Sequence, residues 1–192
     1  MEFIKQGDPI EKKTAVTKYL SNYFDIPVAL VFTDEVKNFL IDYFNLKDQT
    51  ENQNIEYYDY SFVLLPLCKA LEKHLFNILR AIGYIAIIPT KEYDITQLGT
   101  KMKEDKKMDS LKIFLKDHGC SDEIIKSTLT KIREMSEFWH THRNLPLHVD
   151  GLCIPSLSMA EGLGSEIIHE MNSFTAEMTK TGINEYLNKL FK

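Results

Sequence analysis

Apolar side chains along this chain recur mostly at steps of three and four, the spacing that gathers them on one face of an α-helix. The clearest stripe is Leu64, Leu67, Leu71, Leu75, Ile78 and Ile82, which predicts a core-facing helix over residues 60–82. Pro66 must then lie in its first turn or kink it. Upstream, a helical pattern runs from residue 9 or 10 to about residue 24, and Pro27 follows it. Thr33 reads as the N-cap of a second helix, with Asp34 and Glu35 where acids suit the helix dipole. Val36, Phe39, Leu40, Tyr43 and Phe44 form the apolar face of that helix. Residues 48–54 are polar and predict a loop.

In the second half, residues 84–89 form a short apolar run that fits a strand, and residues 91–107 are polar. A helix is predicted over 108–118, with Gly119 as its C-terminal stop. Ser121 reads as the next N-cap, ahead of Asp122 and Glu123. The helix it opens turns Ile125, Leu129, Ile132, Met135 and Trp139 inward. A long helix over 158–180 and a short one over 183–191 complete an all-α chain of six or seven helices. Residues 1–54 form a helical extension packed on a helical domain of residues 55–192, the two making one structural unit.

Composition agrees. Only 8 Gly and 6 Pro among 192 residues is sparse for an all-β or loop-dominated chain, which leaves helices as the better expectation. With 44% hydrophobic and 27% charged residues, the chain is neither disordered nor fibrous. The net charge of −5 removes any global field that would draw it onto nucleic acid, so such a contact must be local. Cys68, Cys120 and Cys153 are odd in number and widely spaced, which fits no disulfide framework and no paired thiolate site. A reducing cytoplasm is the compartment this implies. Residues 1–10 carry Glu2, Lys5 and Asp8, so they lack the apolar core of a signal peptide. Residues 61–89 are broken by Lys69, Glu72, Lys73, His74 and Arg80, so no membrane span is expected there.

The chemistry concentrates in the stretch HTHRNLPLHVDG, residues 140–151. Continuing the Ser121 helix puts Arg143 four residues past Trp139, at the end of a buried stripe where a guanidinium must find an anion or water. Asn144 and His148 are four apart and neighbours on a helical turn, whereas Arg143 and His148 are five apart with Pro146 between them. A titratable imidazole can shuttle a proton and a fixed guanidinium can stabilise charge on a phosphoryl group. Together they suffice for metal-free RNA cleavage, in which the ribose 2′-hydroxyl attacks. Spacing alone favours a plainer reading, with Arg143 as a cap or structural partner and His148 as a partly buried histidine. Glu72 sits at the edge of the apolar stripe, and as a partly buried carboxylate it calls for a cation. Arg143 or His148 would serve if the two helices pack; Lys69 or Lys73 serves equally well on periodicity.

The run Arg143, Asn144, Leu145, Pro146, Leu147, His148 matches the RNxxxH signature of the HEPN superfamily of helical ribonuclease domains. Residues 60–75, YSFVLLPLCKALEKHL, resemble the helix of the RNase LS toxin family that carries a catalytic-site glutamate within an LPxLxALE-type context. The two motifs stand in that family's order, and the resemblance spans roughly residues 58–178. It implies a HEPN-like helical bundle and a metal-independent endoribonuclease without cofactor. Such an enzyme is a toxin of a toxin–antitoxin or anti-phage system, held in check by an antitoxin or inhibitor protein. It also implies a homodimer with the two RNxxxH motifs facing a shared cleft. The candidate catalytic set is then Glu72, Arg143 and His148: His148 as acid and base, Arg143 on the scissile phosphate, Glu72 orienting and charge-balancing both. Asn144 supports them by hydrogen bonding. The RNase LS toxins carry further N-terminal domains, where this chain has only residues 1–54 ahead of the match. Another HEPN branch has a tyrosine two residues after the histidine; here that position is Asp150, so neutralisation by tyrosine modification is not implied.

Three other features have two readings each. Lys101, Lys103, Lys106 and Lys107 are candidates for RNA-backbone contact, although a solvated lysine-rich segment interspersed with Glu104 and Asp105 fits as well. His140 and His142 near His148 raise a metal site, but no carboxylate or cysteine stands at a convincing ligand spacing, so none is assigned. Tyr57, Tyr58 and Tyr60 can stack bases or simply pack. The rival to the nuclease is a catalytically silent HEPN-like module that mediates protein association.

Overall fold

The computed structural model describes residues 9–53, 55–82, 105–147 and 153–182, and in 9–12, 105–107 and 143–147 the helix backbone alone. Among the described residues there are seven helices and no strand, so the fold is all-α. They are α1 (Pro9–Leu20), α2 (Val28–Val31), α3 (Asp34–Asn52), α4 (Ser61–Ala81), α5 (Asp105–Asp117), α6 (Asp122–Leu147) and α7 (Leu157–Thr179).

The helix ends follow from local chemistry. Thr33 accepts the Val36 amide at 3.3 Å and so caps α3, with Asp34 and Glu35 in the first turn. Gly119 takes a left-handed φ of 80° after α5, where the Cys120 amide donates to the Leu115 carbonyl and the Gly119 amide to that of Lys116. This double closure is a Schellman stop, and it needs a residue free of a Cβ at the left-handed position. Two residues on, Ser121 accepts the Ile124 amide and opens α6, while Ser156 accepts the Met159 amide and opens α7.

The structure departs from the sequence expectations at several points. Helix α1 ends at Leu20 rather than near residue 24, because the Tyr23 amide bonds the Leu20 carbonyl and tightens the chain into a turn. Pro27 then opens the single-turn helix α2, a run too short to leave a periodic signature. Helix α3 continues through the polar residues 48–52, predicted as loop, since their side chains bond the helix itself. Thr50 donates to the Leu46 carbonyl and Asn52 to the Asp48 carbonyl, each at 2.7 Å, while Lys47 reaches Glu161 of α7. Of the two alternatives for Pro66, a place in the first turn is not the one observed, since it lies in the second turn of α4. The strand predicted over 84–89 and the helix over 183–191 lie outside the described residues.

Helix α4 is the centre of the fold: α3, α6 and α7 all pack against it, with α1 on α3 and α5 on α6. Every residue of its predicted stripe is buried, and so is Trp139 of α6. Burial is worth roughly 1.5–3 kcal/mol per large aliphatic side chain, so packing of the stripe holds α4 in place more than helix propensity does. A single hydrophobic cluster runs from Leu20 to Met178 and joins the N-terminal helices to the rest. Among the described residues no helix is long and apolar enough to cross a membrane.

Candidate functional site around Glu72 and the end of α6

Glu72 lies midway along α4, between the buried Cys68 and Leu75 of its own row. Its side chain is partly buried, and Oε1 is sealed from solvent. The two lysines beside it in sequence are engaged elsewhere. The Lys73 ammonium stands 2.7 Å from Glu35, and that of Lys69 lies over the Phe39 ring, 5.9 Å from its centroid. Among the described residues neither lysine forms an ion pair with Glu72.

The opposing wall is α6, which packs directly on α4. Its buried face runs Ile125, Thr128, Ile132, Met135, Ser136 and Trp139, an apolar row interrupted by two hydroxyls. The next step of four along that row is position 143. The helix is unbroken through Leu147, so Pro146 is accommodated near its end and Arg143 and Asn144 stand on helical backbone one turn past Trp139. The fold thus brings together the helix that carries Glu72 and the helix that carries Arg143 and Asn144. The side chains of Arg143 and Asn144, and His148 as a whole, lie outside the described residues.

The candidate RNA-binding lysines divide in the same way. Lys106 and Lys107 stand on backbone of the first turn of α5, with their side chains outside the described residues; Lys101 and Lys103 lie outside them altogether. His140 and His142 have structural partners. The His142 ring stacks on Phe138 with centroids 3.9 Å apart, and its Nδ1 and Nε2 face the Phe138 carbonyl and Glu166 Oε2. The His140 ring meets the edge of Trp139. Among the described residues, no three His, Cys, Asp or Glu side chains are grouped so as to hold a metal ion. Tyr57 and Tyr60 pack with Phe62, whereas Tyr58 is 91% exposed.

Two features escaped the sequence reading. His74, two residues beyond Glu72 and so on another face of α4, is fully buried against Phe32 and Thr175. Burial pushes its pKa down to about 3, so it stays neutral and does not substitute for His148 as a proton carrier. The only hint in the sequence was its position next to the leucine stripe. The second feature is a cleft at the other edge of α4, lined by Lys73, Asn77 and Arg80 together with the start of α3. Comparison with protein-family models, with curated proteins and with solved structures gives no match for this chain.

Proposed function

We propose that this chain is a metal-independent endoribonuclease of the HEPN type. It acts as a cytoplasmic toxin of a toxin–antitoxin or anti-phage system, works as a homodimer and is restrained by an antitoxin or inhibitor protein. The observation that carries this reading is Glu72: a carboxylate with one oxygen sealed from solvent, on the helix that packs against the one bearing Arg143 and Asn144. An interior carboxylate is a demand for cationic or hydrogen-bonding neighbours. Arg143 belongs to the last turns of the adjoining helix, and His148 follows that helix in sequence.

The chemistry is 2′-hydroxyl attack on the adjacent phosphodiester. His148 takes the 2′-hydroxyl proton and returns a proton to the leaving 5′-oxygen. Arg143 holds the phosphate while its charge builds up. Glu72 fixes the orientation of both and balances their charge, and Asn144 adds a hydrogen bond. The products are a 2′,3′-cyclic phosphate and a 5′-hydroxyl.

The test is incubation of the purified protein with RNA in EDTA, followed by mapping of product ends. Cleavage with cyclic-phosphate ends, abolished in His148→Ala and in Arg143→Ala without loss of folding, is the expected result. Equal cleavage by parent and variants overturns the assignment. An RNA-inert protein that self-associates normally would instead be a silent association module.

A further inference from the structure

We infer that the cleft between the start of α3 and the C-terminal half of α4 binds a small phosphomonoester, with Arg80 as its anchoring cation. This site is separate from Glu72 and does not depend on the nuclease reading.

The cleft has a volume of about 560 Å³, room for a nucleotide-sized molecule. Lys73, Asn77 and Arg80 follow one another at steps of four and three, so they share one face of α4. That face looks onto Thr33, Asp34, Glu35 and Lys37 at the start of α3. Three cations therefore meet two carboxylates. The carboxylates are already engaged: Asp34 by Lys13 at 2.6 Å and Lys37 at 3.7 Å, Glu35 by Lys73 at 2.7 Å. Lys13 comes from α1, outside the lining, and its contact further neutralises the acidic side of the cleft.

Arg80 is the cation left over. Among the described residues its guanidinium forms no ion pair and no hydrogen bond, and its Nε is sealed from solvent. A partly buried guanidinium costs free energy unless an anion meets it, and its planar fork matches a phosphate or carboxylate group. Beside it stands Asn77, only 5% exposed, whose Nδ2 lies 3.5 Å from Thr33 Oγ1. It supplies a fixed polar group. The lining also has an apolar part, which includes exposed Ala29 and Leu30, the latter 48% exposed. A charged anchor, a fixed polar group and apolar lining residues fit a phosphate carried on an aromatic or apolar body better than a free inorganic ion.

The experiment titrates the full chain with adenosine 5′-monophosphate, with adenosine and with inorganic phosphate, read by calorimetry and by backbone amide shifts. Adenosine monophosphate should bind saturably and inorganic phosphate more weakly. Adenosine should show no saturable binding, and the shifts should centre on residues 29–37 and 73–80. Arg80→Gln, which keeps most of the aliphatic stem, should weaken adenosine monophosphate about tenfold or more, as expected for loss of a charged hydrogen bond. Arg80→Lys should recover part of it. Shifts centred elsewhere on the parent chain, equal binding by Arg80→Gln, or no saturable binding of the monophosphate overturns the proposal. The shift map on the parent decides the question even where the Arg80 variants fold poorly.

Discussion

His74 Nε2 and Thr175 Oγ1 meet at 2.6 Å in the core between α4 and α7. The Thr175 hydroxyl donates its proton to the Met171 carbonyl at 2.7 Å, so it receives the Nε2–H of the imidazole. His74 is therefore the neutral Nε2–H tautomer, and among the described residues its buried Nδ1 has no hydrogen-bond partner. A second proton there would bury a charge with nothing to accept it. That is why the folded chain refuses the proton until about pH 3, although the ordinary value is 6.5.

The sign of the resulting pH dependence is fixed. Between 6.5 and about 3 the unfolded chain holds a proton at His74 that the folded chain does not, so stability falls as pH falls through this window. The limiting slope for one proton is about 1.4 kcal/mol per pH unit. Asp34, Asp59 and Glu177 have lowered values and add their own losses further into acid. Urea unfolding from about pH 7.5 to about pH 5, compared between the parent and a His74 variant, therefore reads this histidine by difference. His74→Gln should be less stable at neutral pH and should lose this component of the slope; an unchanged slope contradicts the account.

At the crossing of α3 and α7, a Cβ at Gly164 would overlap the hydroxyl and ring of Tyr43. Tyr43 is 3% exposed and has nowhere to move, so Gly164→Ala should cost about 1–3 kcal/mol by overpacking. Gly162 provides the internal control. It is exposed, a Cβ there meets nothing within 4 Å, and Gly162→Ala should stabilise α7 by up to about 1 kcal/mol. Thermal melts of the two variants should move in opposite directions.

The contrast between these two glycines shows which parts of the molecule were legible in its sequence. Periodicity and capping are local, and they placed the leucine stripe of α4, the Thr33 and Ser121 caps and the Gly119 stop where the fold has them. Polarity misled at residues 48–52, because Thr50 and Asn52 bond their own helix and a polar run was read as loop. Glu72 was readable as a boundary carboxylate. That Lys73 belongs to Glu35, that Arg80 lines a cleft and that His74 belongs to Thr175 depend on partners far away in sequence, which spacing does not encode.

Asp59 joins the entry of α4 to the segment that leads into α7. Its Oδ1 accepts the amides of Ser61 at 2.9 Å and Ile154 at 3.0 Å, and its Oδ2 accepts the Ser61 hydroxyl at 2.7 Å. The Ser61 hydroxyl bond is the chief reason its carboxyl lies below the usual range. Asp59→Ala should cost about 1–2 kcal/mol, in the range of a lost helix cap. Amide exchange should accelerate at Ser61 and Ile154 while the centre of α4 stays protected. Uniform acceleration across the chain would instead mean that the clamp supports the whole fold.

Glu72→Gln separates a positioning role from a structural one. The substitution keeps shape and one acceptor oxygen but removes the charge beside the proposed guanidinium and imidazole. If Glu72 orients and charge-balances Arg143 and His148, RNA cleavage should fall by about a hundredfold or more, the scale of a disabled acid–base step. The residual activity should carry a second signature. A neighbouring carboxylate raises an imidazole's pKa, so its loss should move the histidine-dependent limb of the pH–rate profile to lower pH. Burial of Oε1 makes a modest loss of stability expected as well, because an amide is then placed where the interior was built for a carboxylate. A variant that melts earlier yet cleaves RNA with the parent's rate and pH profile would make Glu72 a purely structural residue and would remove the support on which the nuclease proposal stands.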